Sequence, residues 1–197
     1  MNLPNKLTLA RFVLTLAFVV VMFSHLPFNE TYSLVLFSLA SISDYLDGKI
    51  ARSRKLITNF GILMDPLADK IMVCSAYIAF VGRGWIEAWM VVIVVARELA
   101  ITGLRLLAAS KQVVLAAERF GKHKTISQII AIIALLVQHS YRDWGALGRV
   151  VFGFSLGGNM PWVEWFAPAS NWVAVILTFV SGWIYLWKNR ALYLQDM

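Results

Sequence analysis

The chain has 197 residues, of which 59% are hydrophobic and 15% are charged, and its formal net charge is +7. An average soluble protein carries about 25% charged residues, so this composition excludes a disordered chain and argues against a soluble globule. The single cysteine, Cys74, excludes an intramolecular disulfide. A positive charge on so apolar a chain is more typical of loops that face anionic lipid than of nucleic-acid binding. The sequence therefore predicts a membrane protein made of one domain, residues 1–197.

Six stretches are long and apolar enough to cross a bilayer, whose hydrocarbon core of about 30 Å needs roughly 20 helical residues. They run from about Leu7 to Phe28, Thr31 to Ile50, Gly61 to Val81, Trp85 to Ala109, Thr125 to His139 and Asn171 to Trp187. We expect an all-α integral membrane protein with six transmembrane helices. The fifth helix is short unless the residues from Tyr141 to Phe154 extend it or lie along the membrane surface.

The basic residues predict the orientation of this bundle, because Lys and Arg near helix ends favour the cytoplasmic side. One side would hold Lys6, Arg11, Lys49, Arg52, Arg54, Lys55, Lys111, Arg119, Lys122, Lys124, Lys188 and Arg190. The other side keeps Arg83, Arg142 and Arg149. We therefore expect both termini on the cytoplasmic side of the cell (inner) membrane.

Four of the six aspartates fall between positions 44 and 69. Asp44 and Asp47 share a helix face at the end of the second stretch, and so do Asp65 and Asp69 near the start of the third. Helices adjacent in sequence usually pack antiparallel, which would gather the four carboxylates in one cavity at the cytoplasmic surface. Their mutual repulsion requires either protonation or cations. Ligation by oxygen alone favours hard divalent ions, and four carboxylates suit two Mg²⁺ or Mn²⁺ ions.

Small residues accompany these acids. Gly48 and Ala51 lie one turn from Asp44 and Asp47 and leave the helix backbone exposed, so that a planar base or a diphosphate can approach it. Arg52 and the hydroxyl of Thr58 are suited to hold phosphate oxygens at the same place.

The complete run resembles the signature of the CDP-alcohol phosphatidyltransferase family. The matching positions are Asp44, Asp47, Gly48, Ala51, Arg52, Gly61, Asp65 and Asp69. The resemblance implies transfer of a phosphatidyl group from CDP-diacylglycerol to an alcohol, with release of CMP, by a homodimer whose site opens to the cytoplasmic leaflet. It also implies two divalent cations on the four aspartates, with Asp69 as general base as well as ligand. Gly48, Ala51, Arg52 and Thr58 would line the CDP portion.

The acceptor alcohol is predicted from basic residues further along the chain. Arg97, Thr102 and Arg105 in the fourth helix, with Lys122 and Lys124 before the fifth, would form a cationic pocket suited to a phosphate. Both strings resemble those of family members that use glycerol 3-phosphate. The competing interpretation pairs Arg97 with Glu98 or an aspartate and takes the lysines as ordinary cytoplasmic anchors.

The opening helix also resembles that of the same family members. Asn5, Thr8 and Arg11 share one face, which is expected to touch the nucleotide of CDP-diacylglycerol. A helix N-cap at Asn5 is the alternative.

Two other functions are compatible with these patterns. The same chemistry with serine, inositol phosphate or phosphatidylglycerol as acceptor keeps the aspartates in their roles. A divalent-cation transporter would instead place the acids near the middle of the membrane on broken helices. Here the acids cluster toward one surface of the membrane, beside Lys49 and Arg52, and these two basic residues would repel a permeating cation.

Overall fold

The described part of the chain is helical almost throughout. A computed structural model describes residues 3–54, 59–113, 120–155 and 160–194. Its helices are α1 (Leu3–Met22), α2 (Asn29–Arg54), α3 (Asn59–Gly82), α4 (Ala88–Ser110), α5 (Phe120–Ser140), α6 (Gly145–Phe152), α7 (Trp162–Lys188) and α8 (Ala191–Leu194). Within these ranges the one β contact is an isolated bridge between Ser155 and Pro161. The all-α prediction is confirmed.

The first helix ends earlier than the sequence predicted, at Met22 rather than Phe28. The hydroxyl of Ser24 donates to the carbonyl oxygen of Val21 at 2.7 Å, and the side-chain amide of Asn29 donates to the carbonyl oxygen of Ser24 at 3.1 Å. Phe28 adopts a φ of 61°, which no helix accommodates. Local hydrogen bonds therefore close a tight connection that apolar composition alone did not reveal.

The last long helix begins earlier than predicted, at Trp162 rather than Asn171. It includes Pro168, which hydropathy led us to place outside the span. The region between α5 and α7 does not extend α5, because a 3₁₀ turn at Tyr141–Trp144 and the left-handed φ of 65° at Gly145 redirect the chain into the separate short helix α6.

The long helices form an antiparallel bundle with two distinct ends. We call the end at which α1 begins the site end and the opposite one the far end. Contacts at the far end join the start of α2 to the end of α3 through Glu30 and Arg83, and the end of α5 to the start of α7 through Gln138 and Glu164. The main packing pairs are α1 with α2 and α3, α5 with α7 and α2, and α4 with α7 and α3. The core between them contains Phe18, Met22, Phe37, Tyr77, Phe80 and Leu136.

Two helices of the described ranges are long and apolar enough to cross a membrane. They are Asn5–Met22 within α1 and Trp162–Lys188, which is α7. The other long helices carry charges that lower their hydropathy, among them Asp65, Asp69 and Lys70 in α3 and Arg97, Glu98 and Arg105 in α4. Outward faces are nevertheless apolar, as at Val13, Leu16 and Val20 on α1, which are between 61% and 67% exposed. A water-soluble bundle would place polar side chains there.

Candidate active site

Three of the four predicted aspartates have described side chains, and all three lie at the site end. Asp44 is near the end of α2, while Asp65 and Asp69 are near the start of α3. The charge of Asp44 interacts with those of Asp65 and Asp69, so the carboxylates occupy one region as predicted. The packing differs from the prediction, because α2 and α3 contact each other much less than either contacts α1. The first helix therefore assembles the site.

Thr8 of α1 holds an aspartate. Its hydroxyl donates to Oδ1 of Asp65 at 2.5 Å, and Thr8 itself is fully buried. The sequence assigned Thr8 and Asn5 to the nucleotide; the structure places Thr8 against an acid and leaves Asn5 half-buried on the preceding turn. The spacing of three residues placed Thr8 and Arg11 on one face of α1, and the structure shows that this face contacts two of the aspartates.

Arg11 holds the second aspartate. Its Nη1 lies 2.7 Å from Oδ1 of Asp44, and its side chain is 0% exposed, whereas that of Asp44 is 40% exposed. Arg11 lies at the end of the bundle where the basic residues were predicted, but it is buried in the protein and does not face water or lipid headgroups. A fully buried guanidinium beside a carboxylate fixes that carboxylate in position.

Asp69 differs from the other two acids. Its Oδ1 is buried and accepts no hydrogen bond from any described residue. Its charge interacts with those of Asp44, Arg11, Lys124 and Glu98, so it lies near both the Arg11–Asp44 pair and the Lys124–Glu98 pair. A buried carboxylate oxygen that accepts no hydrogen bond costs free energy. This atom is therefore available to a cation or to a substrate proton.

These residues fit a hard divalent cation in the chemistry of their donors. Carboxylate oxygens are the ligands that Mg²⁺ and Mn²⁺ prefer, and Oδ1 of Asp69 has no competing donor among the described residues. Within the same ranges, no three acidic, histidine or cysteine side chains already stand close enough together to enclose an ion. Instead, Asp65 accepts a hydrogen bond from Thr8, and Asp44 forms an ion pair with Arg11.

Several predicted residues lie outside the part whose side chains are described. The side chains that are not described belong to Lys122 in α5 and to four residues of α2, which are Asp47, Gly48, Ala51 and Arg52. Thr58 lies outside the described residues. Gly61 of the motif is buried.

A buried cluster of charges joins α4 to α5 at the site end. Nζ of Lys124 contacts Oε1 of Glu98, and Nη1 of Arg97 lies 3.2 Å from the same oxygen. Glu98 is 6% exposed and Lys124 is 4% exposed, so Lys124 is not an ordinary surface anchor. The competing interpretation that Arg97 pairs with Glu98 is confirmed. One carboxylate thus gathers two cations, and the three groups together carry a single positive charge.

The remaining residues of the predicted acceptor pocket are not part of this cluster. The hydroxyl of Thr102 donates to the carbonyl oxygen of Glu98 at 2.7 Å, a bond within its own helix. The guanidinium of Arg105 lies 5.9 Å from the centroid of the Tyr185 ring, and its side chain is exposed. The expectation that Arg97 and Arg105 converge was wrong, because each is drawn to its own partner.

Two residues near the candidate site were not predicted from the sequence. Glu98 was expected only as a possible partner of Arg97, although an acid within an apolar helix is itself a signal of function. Gly182 of α7 was not predicted either; the aliphatic stem of Arg97 packs against it so closely that an added Cβ would stand 2.7 Å from Cγ of Arg97. This glycine lets the arginine pass between α4 and α7.

Comparisons with known proteins agree with this geometry. The family model of CDP-alcohol phosphatidyltransferases matches residues 1–180. A relative from Bacillus subtilis (strain 168), a CDP-diacylglycerol–glycerol-3-phosphate 3-phosphatidyltransferase, is 40% identical over 95% of each chain. Proteins of the same name from Cereibacter sphaeroides and Rickettsia bellii are each 31% identical, over 99% and 93% of this chain and 98% and 93% of their own.

Proposed function

The chain belongs to the CDP-alcohol phosphatidyltransferase family, and from this premise we propose that it is a phosphatidylglycerophosphate synthase. It transfers the phosphatidyl group of CDP-diacylglycerol to glycerol 3-phosphate and releases CMP. The names of relatives that share nearly the whole length of the chain support both substrates. The observation that carries the proposal is that Asp69 lies near both Asp44 and the buried Lys124–Glu98 pair, which Arg97 also joins.

The aspartates would hold two divalent cations, Mg²⁺ or Mn²⁺. Asp44, Asp47, Asp65 and Asp69 are the ligands in this proposal. When bound, such ions neutralise the diphosphate of the donor and stabilise CMP as it leaves. Thr8 and Arg11 orient two of the ligands through the contacts described above, so that the carboxylates need little rearrangement on binding.

Asp69 acts as the general base. The hydroxyl of glycerol 3-phosphate attacks the phosphorus that carries the diacylglycerol, and its proton passes to Oδ1 of Asp69. A new P–O bond forms to the acceptor while the bond to the CMP oxygen breaks, and the electron pair leaves with CMP. The buried Oδ1, which accepts no bond from the described residues, supports this assignment.

The acceptor phosphate is held by cations. Lys124 and Arg97 present their remaining N–H groups to it while Glu98 keeps them in place. The rim of this acceptor pocket is proposed to include the other predicted residues, Thr102, Arg105 and Lys122. For the donor, we keep Asn5, Thr8, Gly48, Ala51, Arg52 and Thr58 as the residues that line the CDP portion.

The arrangement in the membrane is also a proposal. Six long helices, α1 to α5 and α7, cross the cell membrane with both termini and the site end on the cytoplasmic side. In support, Lys6, Lys111, Lys124 and Lys188 lie at one end, whereas Arg83, Arg142 and Arg149 lie at the other. The single domain over residues 1–197 and the homodimer follow the family resemblance, and the mass of the purified protein in detergent tests the latter.

Release of CMP by the purified protein tests the function. Protein in detergent with CDP-diacylglycerol and Mg²⁺ should release CMP with glycerol 3-phosphate, and little with serine, inositol phosphate or phosphatidylglycerol. A different alcohol that dominates the panel would reassign the acceptor but keep the chemistry. No CMP release with any alcohol, together with metal flux into proteoliposomes, would replace the enzyme with a cation transporter.

A further inference from the structure

A cavity at the far end of the bundle has no part in the proposed reaction. Its volume is about 290 Å³, and it lies between the loop before α4, the end of α5 and the first turns of α7. Trp85, Glu87, Gln138, His139, Asn171 and Trp172 are among its lining residues. A liquid water molecule occupies about 30 Å³, so this space accommodates several waters or a small polar ligand.

Two amide side chains in this cavity have oxygens without a donor. Asn171 is 2% exposed, and its Nδ2 lies 3.3 Å from Sδ of Met90. Nε2 of Gln138 donates to Oε2 of Glu164 at 3.0 Å. Oδ1 of Asn171 and Oε1 of Gln138 are buried and receive no hydrogen bond from the described residues. Each amide therefore commits an N–H to the protein, while its oxygen is left to accept a hydrogen bond from something else.

His139 and Glu87 add two further acceptors to the lining. Nδ1 of His139 lies 2.9 Å from the carbonyl oxygen of Leu135, which can only accept, so Nδ1 carries a proton. In the neutral form of this ring, Nε2 is an acceptor. The ring is held by stacking on Trp85, with centroids 3.7 Å apart and planes within 10°. The carboxylate of Glu87 is exposed at the rim and forms no ion pair within the described ranges.

The charges around the cavity favour a cation. Arg83 lies 5.8 Å from the Trp85 ring but is paired with Glu30, and Arg142 is paired with Glu164 at 2.8 Å. Four acceptors, one of them a carboxylate, and the indole of Trp172 as a wall match a donor that is positively charged. An anion needs donors alone, which these four acceptors do not supply.

We propose that this far-end cavity binds a small organic ammonium group. The primary ammonium, with three N–H donors and no acceptor, is complementary to the oxygens of Asn171 and Gln138 and to Nε2 of His139. Either a free amine or the headgroup of an ethanolamine phospholipid carries this chemistry. The proposal does not depend on the proposed enzymatic function, since the cavity is at the other end of the bundle.

Equilibrium dialysis of the purified full-length protein with labelled ethanolamine tests the proposal, with glycerol as the neutral probe. Ethanolamine should bind saturably and at least tenfold tighter than glycerol. Asn171→Leu should weaken ethanolamine binding at least tenfold, whereas Asn171→Asp should tighten it several-fold by adding a charge. Ser170→Ala, one residue away and outside the lining, is the matched control and should bind like the wild type.

A second experiment distinguishes a free amine from a lipid headgroup as the source of the ammonium group. Native mass spectrometry from nanodiscs that contain phosphatidylethanolamine and phosphatidylglycerol should show retained phosphatidylethanolamine if the headgroup is the ligand. Binding of free ethanolamine without lipid retention identifies a soluble amine. Equal binding of ethanolamine and glycerol overturns the proposal, as does binding of neither probe or lipid, which means that water satisfies the acceptors. An unchanged affinity in folded Asn171→Asp also overturns it, and CMP release should be unaltered in all three variants.

Discussion

Substitution of Gly182 by alanine should weaken the binding of glycerol 3-phosphate. Gly182 packs against the stem of Arg97, whose guanidinium is proposed to hold the acceptor phosphate. The added Cβ would stand 2.7 Å from Cγ of Arg97 and 3.6 Å from its Cβ. Carbon atoms pack best at about 3.5–4.0 Å, so Cγ must retreat by about 1 Å. Because Cγ is at the root of the side chain, rotation that relieves the contact also carries the guanidinium away from Glu98, to which it now lies at 3.2 Å.

The size of the effect follows from the bond that is lost. A hydrogen bond between charged groups contributes about 1.5–3 kcal/mol. At about 1.4 kcal/mol for each factor of ten, Gly182→Ala should raise the KM for glycerol 3-phosphate by about tenfold to a hundredfold. The value of kcat should change less than KM, because Gly182 and Arg97 do not contact Asp69 directly and Lys124 stays paired with Glu98. Overpacking between α4 and α7 should also lower the free energy of unfolding by about 1–3 kcal/mol.

Gly103 provides the matched control for this experiment. It lies in α4 like Arg97, and an added Cβ there would meet no atom within 4 Å. Gly103→Ala should leave KM unchanged and should stabilise the helix by up to about 1 kcal/mol. The assay is CMP release at varied glycerol 3-phosphate with saturating donor, alongside thermal unfolding in detergent. A folded Gly182→Ala protein with unchanged KM would refute the reasoning, since α4 and α7 would then have separated without moving Arg97.

Three further predictions concern the aspartates. Asp69→Asn should lower CMP release by about a hundredfold or more, because an amide takes up no proton, while thermal unfolding shows the variant folded. Removal of divalent ions with a chelator should abolish CMP release and added Mg²⁺ or Mn²⁺ should restore it; activity that survives chelation contradicts the assigned ligands. Arg11→Met should lower the free energy of unfolding by about 3 kcal/mol, the lower end for a broken buried pair because Asp44 is partly exposed. Arg83→Met, which breaks a pair at the far end, should cost about 1 kcal/mol or less, and equal losses would contradict the special burial of Arg11.

Periodicity made the aspartates predictable, because i, i+3 and i, i+4 spacing places side chains on one helix face whatever the helix packs against. The partners of those acids depend on tertiary packing, which the spacing does not contain. Thr8 and Arg11 are far from Asp65 and Asp44 in sequence, and only the position of α1 against both α2 and α3 brings them together. The sequence grouped Thr8 and Arg11 on one face of α1, but it did not predict their contacts with Asp65 and Asp44.

The residues predicted to bind the acceptor phosphate also show that spacing along a helix does not determine side-chain contacts. Arg97 and Arg105 are eight positions apart and were expected to converge, but each side chain is long enough to follow a local partner, Glu98 in one case and the ring of Tyr185 in the other. Helix boundaries at α1 and α7 also differed from hydropathy, since hydrogen bonds of Ser24 end one helix and the other continues through Pro168.

The burial of Arg11 has a consequence for how the protein is made. In the proposed six-span arrangement, α1 leaves the ribosome with a guanidinium on its inward face and no acid of its own to neutralise it. An arginine that enters lipid alone is expensive, and its counter-charge, Asp44, is at the end of the following helix. Stable insertion of α1 therefore waits for α2, and the two enter the bilayer as a hairpin. A nascent chain that stops before residue 44 should be extracted from the membrane far more easily than one that contains both helices.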